Sequence, residues 1–415
     1  MIRIRLPKQK LERPRRINES NKKTSSEIMT SSHYGLIIIG GGPVGMSLAL
    51  ALCNSGLSVL LLEARGEPEK KEDPRPLAFS HGSRLILQRL GVWESLPEVT
   101  PITTIHISNR GSFGRTILTA RDVDVPALGY VVIHHDVFRS MHERLQDCGV
   151  DYLTGAQVTR LESSTEEGQV EFQHNGVIKQ ATANLLVLAD GGRLTGQVEG
   201  ITQHTHDYQQ WAVVAGIKTS LPQCGTAYER FASDGPVALL PLGRYFSLVW
   251  TVSPLAAQEI LSLDDDAFMA RLHHHFGDRI GKFIGASKRS GFPLALKYAT
   301  PITACRIALI GNAAQTLHPV AGQGFNLGLR DAWELAREII TMPSDTGVPV
   351  MLSKYRHKRQ IDSGAGRTFT DSLIKLFSND TLLLQGMRGM GLSALDCLPP
   401  AKRFVAKRMM FGSRG

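Results

Sequence analysis

The chain has 415 residues, enough for two or three domains with large cores, and a composition ordinary for a globular protein, 42% hydrophobic and 20% charged. Its formal charge of +9 is uneven: nine Lys or Arg against three Glu fall in residues 1–30, which supply +6 of it. The basic balance therefore describes a tail and does not point to nucleic acid, and no secretory apolar region is present.

Residues 1–33 read as a disordered basic extension, polar and without hydrophobic period. Arg13, Arg15 and Arg16 would suit a mitochondrial presequence, but Glu12, Glu19 and Glu27 interrupt it. A mis-called start ahead of Met29 is the other reading. Next comes Leu36-Ile37-Ile38-Ile39, a buried parallel strand by its unbroken β-rich apolar run. Gly40, Gly42 and Gly45, with Pro43 and Val44 between them, stand at G-x-G-x-x-G spacing. The first allows a tight turn, the second admits a pyrophosphate, and the third lets helix pack on strand. A helix over Met46–Asn54 would aim its N-terminal amides at phosphate. A strand over Leu57–Leu62 then ends in Glu63-Ala64-Arg65, with the acid placed to accept from a ribose hydroxyl. The apolar stretch Leu36–Leu62 is long enough to mimic a membrane span, but the Gly/Pro turn and Asn54-Ser55-Gly56 divide it.

Further along, the pattern predicts a helix over His81–Leu90 and a hairpin of Thr103–Ser108 with Thr116–Ala120. A strand over Tyr130–Ile133 and a helix N-capped by Asp136 follow. Strands are expected at Gln157–Leu161, Gln169–Phe172 and Ile178–Thr182, with Asn175-Gly176 as a type I′ turn. Leu185–Leu188 is another buried strand, ending in Asp190-Gly191. From Trp211 to Thr251 the chain alternates strands and turns, and Asp264–Phe276 reads as a helix. Arg306–Ile310 returns to the buried-strand pattern, and a helix is expected over Phe325–Ile340. The fold class is α/β: a Rossmann-like domain with an inserted, mostly β substrate domain and a C-terminal helical segment. The expected division is 34–105, 128–200 and 297–345 for the Rossmann-like part, 106–127 and 201–296 for the β domain, and 346–415 for the helical region with its basic tail.

Cys53, Cys148, Cys224, Cys305 and Cys397 are scattered, with no C-x-x-C, which fits reduced, buried thiols in a cytosolic protein. His273-His274-His275 are consecutive on a helix and point apart, so a solvated helix face is expected and no metal.

Three strand ends carry glycine: Gly40–Gly45, Asp190-Gly191 and Gly311–Leu327. Ligands of open parallel sheets lie beyond the carboxyl ends of the strands, so the three could line one long cofactor. In the third, Gly322 and Gly324 allow close approach to a flat ring. The helix starting near Phe325 would present its N-terminus to the anionic edge of a reduced flavin.

These marks together resemble the single-component FAD-dependent aromatic hydroxylases, the p-hydroxybenzoate hydroxylase superfamily, over about residues 34–395. Gly311-Asn312 with His318-Pro319 and Gly322-Gln323-Gly324-Phe325-Asn326-Leu327 is most similar to the ubiquinone-biosynthesis branch. The resemblance implies FAD held by the Gly40–Gly45 turn, Glu63, Ala64, Arg65, Asp190-Gly191, Gly311-Asn312 and the Gly322–Asn326 loop. NADPH or NADH would visit transiently and O2 would be co-substrate, with hydroxylation through a C4a-hydroperoxyflavin. The substrate implied is a membrane-derived polyprenyl phenol such as 2-octaprenyl-6-methoxyphenol. Asn312 replaces the usual Asp, and Thr195 and Gln197 depart from the family's Ser/Arg, which leaves the nicotinamide contact open. His318 and Pro319 would lie beside the flavin ring, with His318 either a base for the phenol or a structural loop histidine. Tyr298 and Tyr245 are lesser phenolic candidates.

Leu373, Leu376, Phe377 and Leu382–Leu384 form an apolar helical stretch, and Lys402, Arg403, Lys407 and Arg408 alternate with Phe404, Val405, Met409, Met410 and Phe411. That pattern suits either peripheral contact with anionic lipid or ordinary helix packing with a basic end. A cytoplasmic protein, peripheral on the inner membrane and open to a pathway assembly, is the expectation. A sister hydroxylase acting at another ring position, a non-oxygenating flavin reductase of isoprenoids and a flavin-bearing scaffold subunit are the competing readings.

Overall fold

A computed structural model describes residues 32–66, 75–110, 113–232, 234–317, 323–377 and 382–412. The expectations for 1–31, His318, Pro319 and Gly322 lie outside them, as do those for the side chains of Gln323, Leu373, Leu376, Phe377 and Leu382–Leu384.

Five parallel strands make the centre of the first sheet, in the order Ile307–Leu309, Val177–Leu188, Ser32–Ile39, Val59–Glu63, Val150–Thr154. Their apolar runs are covered on both faces, as parallel strands require. Leu36 and Ile38 face one core with Met46, Leu335 and Tyr355, whereas Ile37 and Ile39 face another with Leu186 and Leu309. The opening strand begins at Ser32, two residues into the expected extension. Val177–Leu188 is one strand of 12 residues, not two: its first part pairs antiparallel with Gly168–His174 and its last part parallel with the opening strand. The turn before it has Asn175 at φ 53 and Gly176 at φ 78, the left-handed pair a type I′ turn demands.

The second sheet has nine strands, running Gln315–Thr316, Ser290–Thr300, Thr202–Thr219, Tyr245–Val252, Val237–Leu242, Thr226–Phe231, Thr104–Asn109, Arg115–Thr119, with Phe283–Ala286 beside Thr202–Thr219. The hairpin 104–119 enters it by parallel pairing with Thr226–Phe231. Helices Pro254–Ser262 and Asp265–Phe276 seal one face, burying Val213, Val237, Leu239, Leu248 and Trp250. A small third sheet joins Pro76–Ser80, Gly129–Ile133 and Thr100–Ile102. Helices Gln323–Thr341, Pro349–Phe377, Leu382–Cys397 and Pro399–Phe411 complete the chain.

Several expectations are corrected. The helix after Ile133 begins at His134 and has Ile133 as its N-cap, so Asp136 sits inside its first turn. The strands Pro76–Ser80, Val150–Thr154 and Ser290–Thr300 and the helix Pro254–Ser262 carried no clear period and were not expected. Cys53 and Cys148 form a disulfide with their Cα atoms 5.2 Å apart, because each follows one of two packed helices, Pro43–Ala51 and His134–Gln146. The three other cysteines are exposed, so the reading of five reduced, buried thiols fails on both counts. His275 is buried against Trp250 and pairs with Asp234 at 3.3 Å, which removes it from the solvated face expected for all three histidines. The basic tail is a docked helix: Ala406 and Met410 are buried with Leu118, Val123 and Leu128, and Lys402 pairs with Asp396 at 3.3 Å.

Candidate active site

Parallel register brings the three glycine-bearing strand ends side by side. Ile39 lies opposite Leu188, and Leu188 opposite Leu309. The amide of Ala189 donates to Ile39 O at 2.7 Å, and that of Ile310 to Leu188 O at 3.0 Å. The opening strand has neighbours on both sides that follow it in sequence, so its C-terminal end is a topological switch point, where open α/β sheets hold ligands.

The turn after Ile39 requires its glycines. Gly40 has φ 113, and a Cβ there would stand 2.4 Å from Ala189 O; a Cβ on Gly45 would stand 2.0 Å from Gly40 O. Gly42 instead meets nothing within 4 Å, and as N-cap of Pro43–Ala51 it offers no side chain to the first amides of the helix. The space beside Gly42 is open with a positive helix end behind it, which is what a pyrophosphate needs.

Glu63 is buried, and its Oε2 accepts from Gly41 N at 2.8 Å. Its Oε1 accepts from Arg65 N at 2.9 Å and Arg65 Nε at 2.8 Å. Burial opposes its charge, but the bonds and charge of Arg65 and the Gly41 amide outweigh this and hold its pKa below the ordinary value. Each carboxylate oxygen can accept twice, so Oε2 keeps capacity for a ribose hydroxyl. Tyr152, unnoticed in the sequence, borders this place with its pKa pushed up to about 12, by burial first and the Glu63 charge second. Ala64 and Arg65 are exposed.

Asp190 folds back on its own loop, its Oδ1 accepting from Gly192 N at 3.0 Å and its Oδ2 from Leu194 N at 2.8 Å. Gly191, at φ 78, has open space where a side chain would be. A Cβ on Gly192 would lie 3.4 Å from Asn312 O, so the second and third strand ends touch. Gly311 sits at φ 59 against Val44, with Gly328 close beside it against the same valine, and Asn312 is exposed.

Asp331 supplies what the sequence reading missed. Its Oδ2 accepts from Gly311 N at 3.0 Å, and its Oδ1 from Arg359 Nε at 2.6 Å. Arg359 also bonds Asp362 at 2.7 Å, and Arg330 bonds Asp362 at 2.9 Å. The motif string ended in Arg330-Asp331, but nothing in it pointed to partners some 30 residues later on a facing helix. Burial raises the Asp331 pKa despite Arg359. The third strand end is thus pinned by a buried ionic network. Asn326 is buried and its amide is engaged: Oδ1 accepts from Ser80 N at 2.8 Å and Ser83 Oγ at 2.6 Å, and Nδ2 donates to Ala78 O at 3.0 Å. With Phe325 packed edge-on to Phe79 at 5.2 Å, it ties the start of helix 323–341 to the third sheet. A Cβ on Gly324 would meet nothing within 4 Å. Tyr298 stacks on His204, and Tyr245 is an exposed residue under Lys218. Thr195 is wholly buried, and Gln197 reaches Thr159 O.

An uncapped helix N-terminus, a hydroxyl acceptor and two open glycine turns in one line fit the diphosphate, ribose and chain of FAD. Residues 34–363 match the family described as FAD binding domain. The chain is 32% identical to the ubiquinone hydroxylase UbiM of Neisseria meningitidis, over 91% of this chain and 85% of that protein. It is also 32% identical to the ubiquinone hydroxylase UbiL of Rhodospirillum rubrum, over 90% and 89%. Its fold superposes on p-nitrophenol 4-monooxygenase PnpA from Pseudomonas putida DLL-E4 with a TM-score of 0.76 at 16% identity, covering 93% of this chain and all of that one. The chain belongs to the FAD-binding-domain family and is one of its flavin-dependent monooxygenases.

Proposed function

We propose that the protein hydroxylates a polyprenylated phenol in ubiquinone biosynthesis, using FAD, a transient NADPH or NADH, and O2. The alignment of Gly42, Asp190-Gly191 and Gly311 at one switch point carries this reading, together with two relatives that are named ubiquinone hydroxylases. FAD, when bound, supplies the electron transfer and oxygen activation. The chain's residues do the rest. The Gly40–Gly45 turn and Glu63 hold the diphosphate and ribose, and Asp331 keeps Gly311 in place beside the ribityl chain. His318 and Pro319 keep their proposed place at the ring side. The finer reading is 2-octaprenyl-6-methoxyphenol converted to 2-octaprenyl-6-methoxy-1,4-benzoquinol. The names of the two relatives specify no ring position, so a sister hydroxylation is the second reading.

The test is purified protein with bound flavin, assayed for NADPH oxidation and O2 uptake with and without a prenylated methoxyphenol, the product identified by mass. Substrate-stimulated oxidation with one oxygen added to the ring supports the proposal. Stimulated oxidation without oxygen in the product favours a reductase, and no stimulation favours a scaffold.

No helix of the described residues is long and apolar enough to cross a membrane. Peripheral contact is proposed for the outward side of helix Pro399–Phe411, where Phe404 is 66% exposed beside Arg403 and Lys407. Because this helix also packs inward, the informative variant is Phe404→Ser and not a deletion. Binding to anionic vesicles that is unchanged in Phe404→Ser removes the membrane role. Contact with other enzymes of the pathway is part of the same proposal.

A further inference from the structure

The second sheet has two unlike faces. On one, Val213, Val237, Leu239 and Trp250 are sealed beneath helices 254–262 and 265–276. On the other, pairing sets a row across the strands: Ile107, Glu229, Ala238, Val249, Val214 and Ser290. Ala238, Val249 and Val214 are only partly covered, and they belong to none of the buried clusters. They form a floor of small apolar side chains with a single carboxylate.

This floor borders the elements that fix the flavin loop. On its side of the sheet, Ala227 and Leu240 pack against Val131 of the third sheet. That sheet's Phe79 meets Phe325, and its Ser80 donates to Asn326. At the other margin, Phe231 and Ile107 pack on Leu392 of helix 382–397. A flat aromatic ring with an apolar tail suits such a floor.

The Glu229 carboxylate makes no hydrogen bond or ion pair among the described residues. The neighbouring charges among the described residues lie elsewhere. Arg230 is on the opposite face of its strand, with Arg110 and Arg279 acting on it. His106 is on that opposite face too, paired with Tyr228 and influenced by Arg279, Arg115 and Arg230. Asp396 is bonded to Ile117 N and Lys402. The neighbours of Glu229 in the row across the sheet are the apolar Ile107 and Ala238, with Val249 beyond. Burial, with no compensating charge among the described residues, pushes its pKa from 4.5 to about 7.

We propose that Glu229 receives the phenolic hydroxyl of the substrate and accepts its proton. The assignment rests on the proposed function and names a base for it. The O–H bond breaks, the proton passes to a Glu229 carboxylate oxygen, and the electron pair stays on the phenolate, making the ring a better nucleophile. When the ring carbon that has gained oxygen loses its hydrogen as a proton, the ring oxygen is reprotonated from Glu229. A base near pKa 7 is far better matched to a phenol, with reference pKa about 10, than an ordinary carboxylate.

The test compares wild type, Glu229→Gln and Glu229→Asp with bound flavin. The expected loss in kcat for Glu229→Gln is about a hundredfold or more, with KM little changed, and Glu229→Asp recovers part of it. The fall of kcat below about pH 7 should vanish in Glu229→Gln. A second readout needs no turnover: the ultraviolet difference spectrum of the phenol bound anaerobically to oxidised protein. The carboxylate is already ionised when the phenol titrates and repels the second charge, so in wild type the bound phenol should ionise at higher pH than in Glu229→Gln. Glu229→Gln that retains wild-type kcat, pH profile and phenol ionisation overturns the assignment. Wild-type protein that neither binds nor hydroxylates prenylated phenols overturns the proposed function, and the assignment with it.

Discussion

The strand-end crevice and the bare face of the second sheet each hold one buried or partly buried glutamate, and their surroundings push the two in opposite directions. Glu63 receives three donors from the Gly41 and Arg65 backbones and the Arg65 guanidinium, and its pKa is depressed. Among the described residues Glu229 receives none, and it rises to about 7. The first is built to stay charged and accept hydrogen bonds; the second is built to exchange a proton. The crevice is made mainly of backbone, where glycines let chains approach and amides face a ligand. The face is made of side chains chosen by strand register. One chemistry needs fixed dipoles and the other a poorly solvated titrating group, so each region uses the means that suits it.

The sharpest way to break the comparison is to disable the crevice alone. Arg359→Met takes the Arg359 guanidinium from buried Asp331, which keeps the Gly311 amide, and also from buried Asp362. Breaking one side of such a pair costs about 3–5 kcal/mol, read as a lower Tm and lost flavin in the purified protein. The cost should be much smaller in the Arg359→Met, Asp331→Leu double variant than the sum of the single changes, by a double-mutant cycle. A strictly additive result would remove the network from the account.

Next in size is Gly45→Ala. Its Cβ would stand 2.0 Å from Gly40 O, a backbone clash beyond the ~1–3 kcal/mol of ordinary overpacking. Flavin occupancy should fall below about a tenth of wild type by absorbance ratio. Gly42→Ala, where a Cβ meets nothing within the protein, should leave the fold intact and weaken only flavin affinity. Equal loss of thermal stability in both would contradict the division between a packed and an open glycine.

The smallest effect is also the most specific: a pair of opposite slopes in stability against pH. Folded Glu229 holds its proton more tightly than the unfolded chain, so its contribution falls as pH rises from about 4.5 to about 7. Folded Glu63 holds its proton less tightly, so its contribution is present above the ordinary value near 4.5 and is lost as pH falls through its depressed pKa. Relative to wild type, Glu229→Gln should therefore gain in urea midpoint as pH rises across its window. Glu63→Gln should be most destabilised at neutral pH and converge with wild type in acid. Slopes of the same sign would show that the two carboxylates do not differ as described.

Much of the crevice was legible in the chain itself. An unbroken Leu36–Ile39 run can only be a strand covered on both faces, and Gly40 and Gly45 can only be glycine because their neighbours' carbonyls fill the space of a Cβ. Local spacing carries such information because strand, turn and helix are consecutive. The three strand ends were also visible as separate motifs, although their adjacency rests on parallel register between residues more than a hundred apart.

The rest was decided by tertiary structure. Asp331 and Arg359 belong to different helices, and neither has a spacing that announces the other. Cys53 and Cys148 are 95 residues apart and meet because two helices pack. The basic tail showed alternating charge and apolarity, but only docking on Leu118 and Val123 distinguished its inward side from its outward one. Glu229 was one acid in an amphipathic strand until the sheet put Arg230 under the helices' side and Glu229 on the open floor. Sequence determines what a backbone can do within a few residues, because propensity and steric exclusion act locally. The titration of a carboxylate depends on which distant groups surround it, and that is settled only when the sheets have formed.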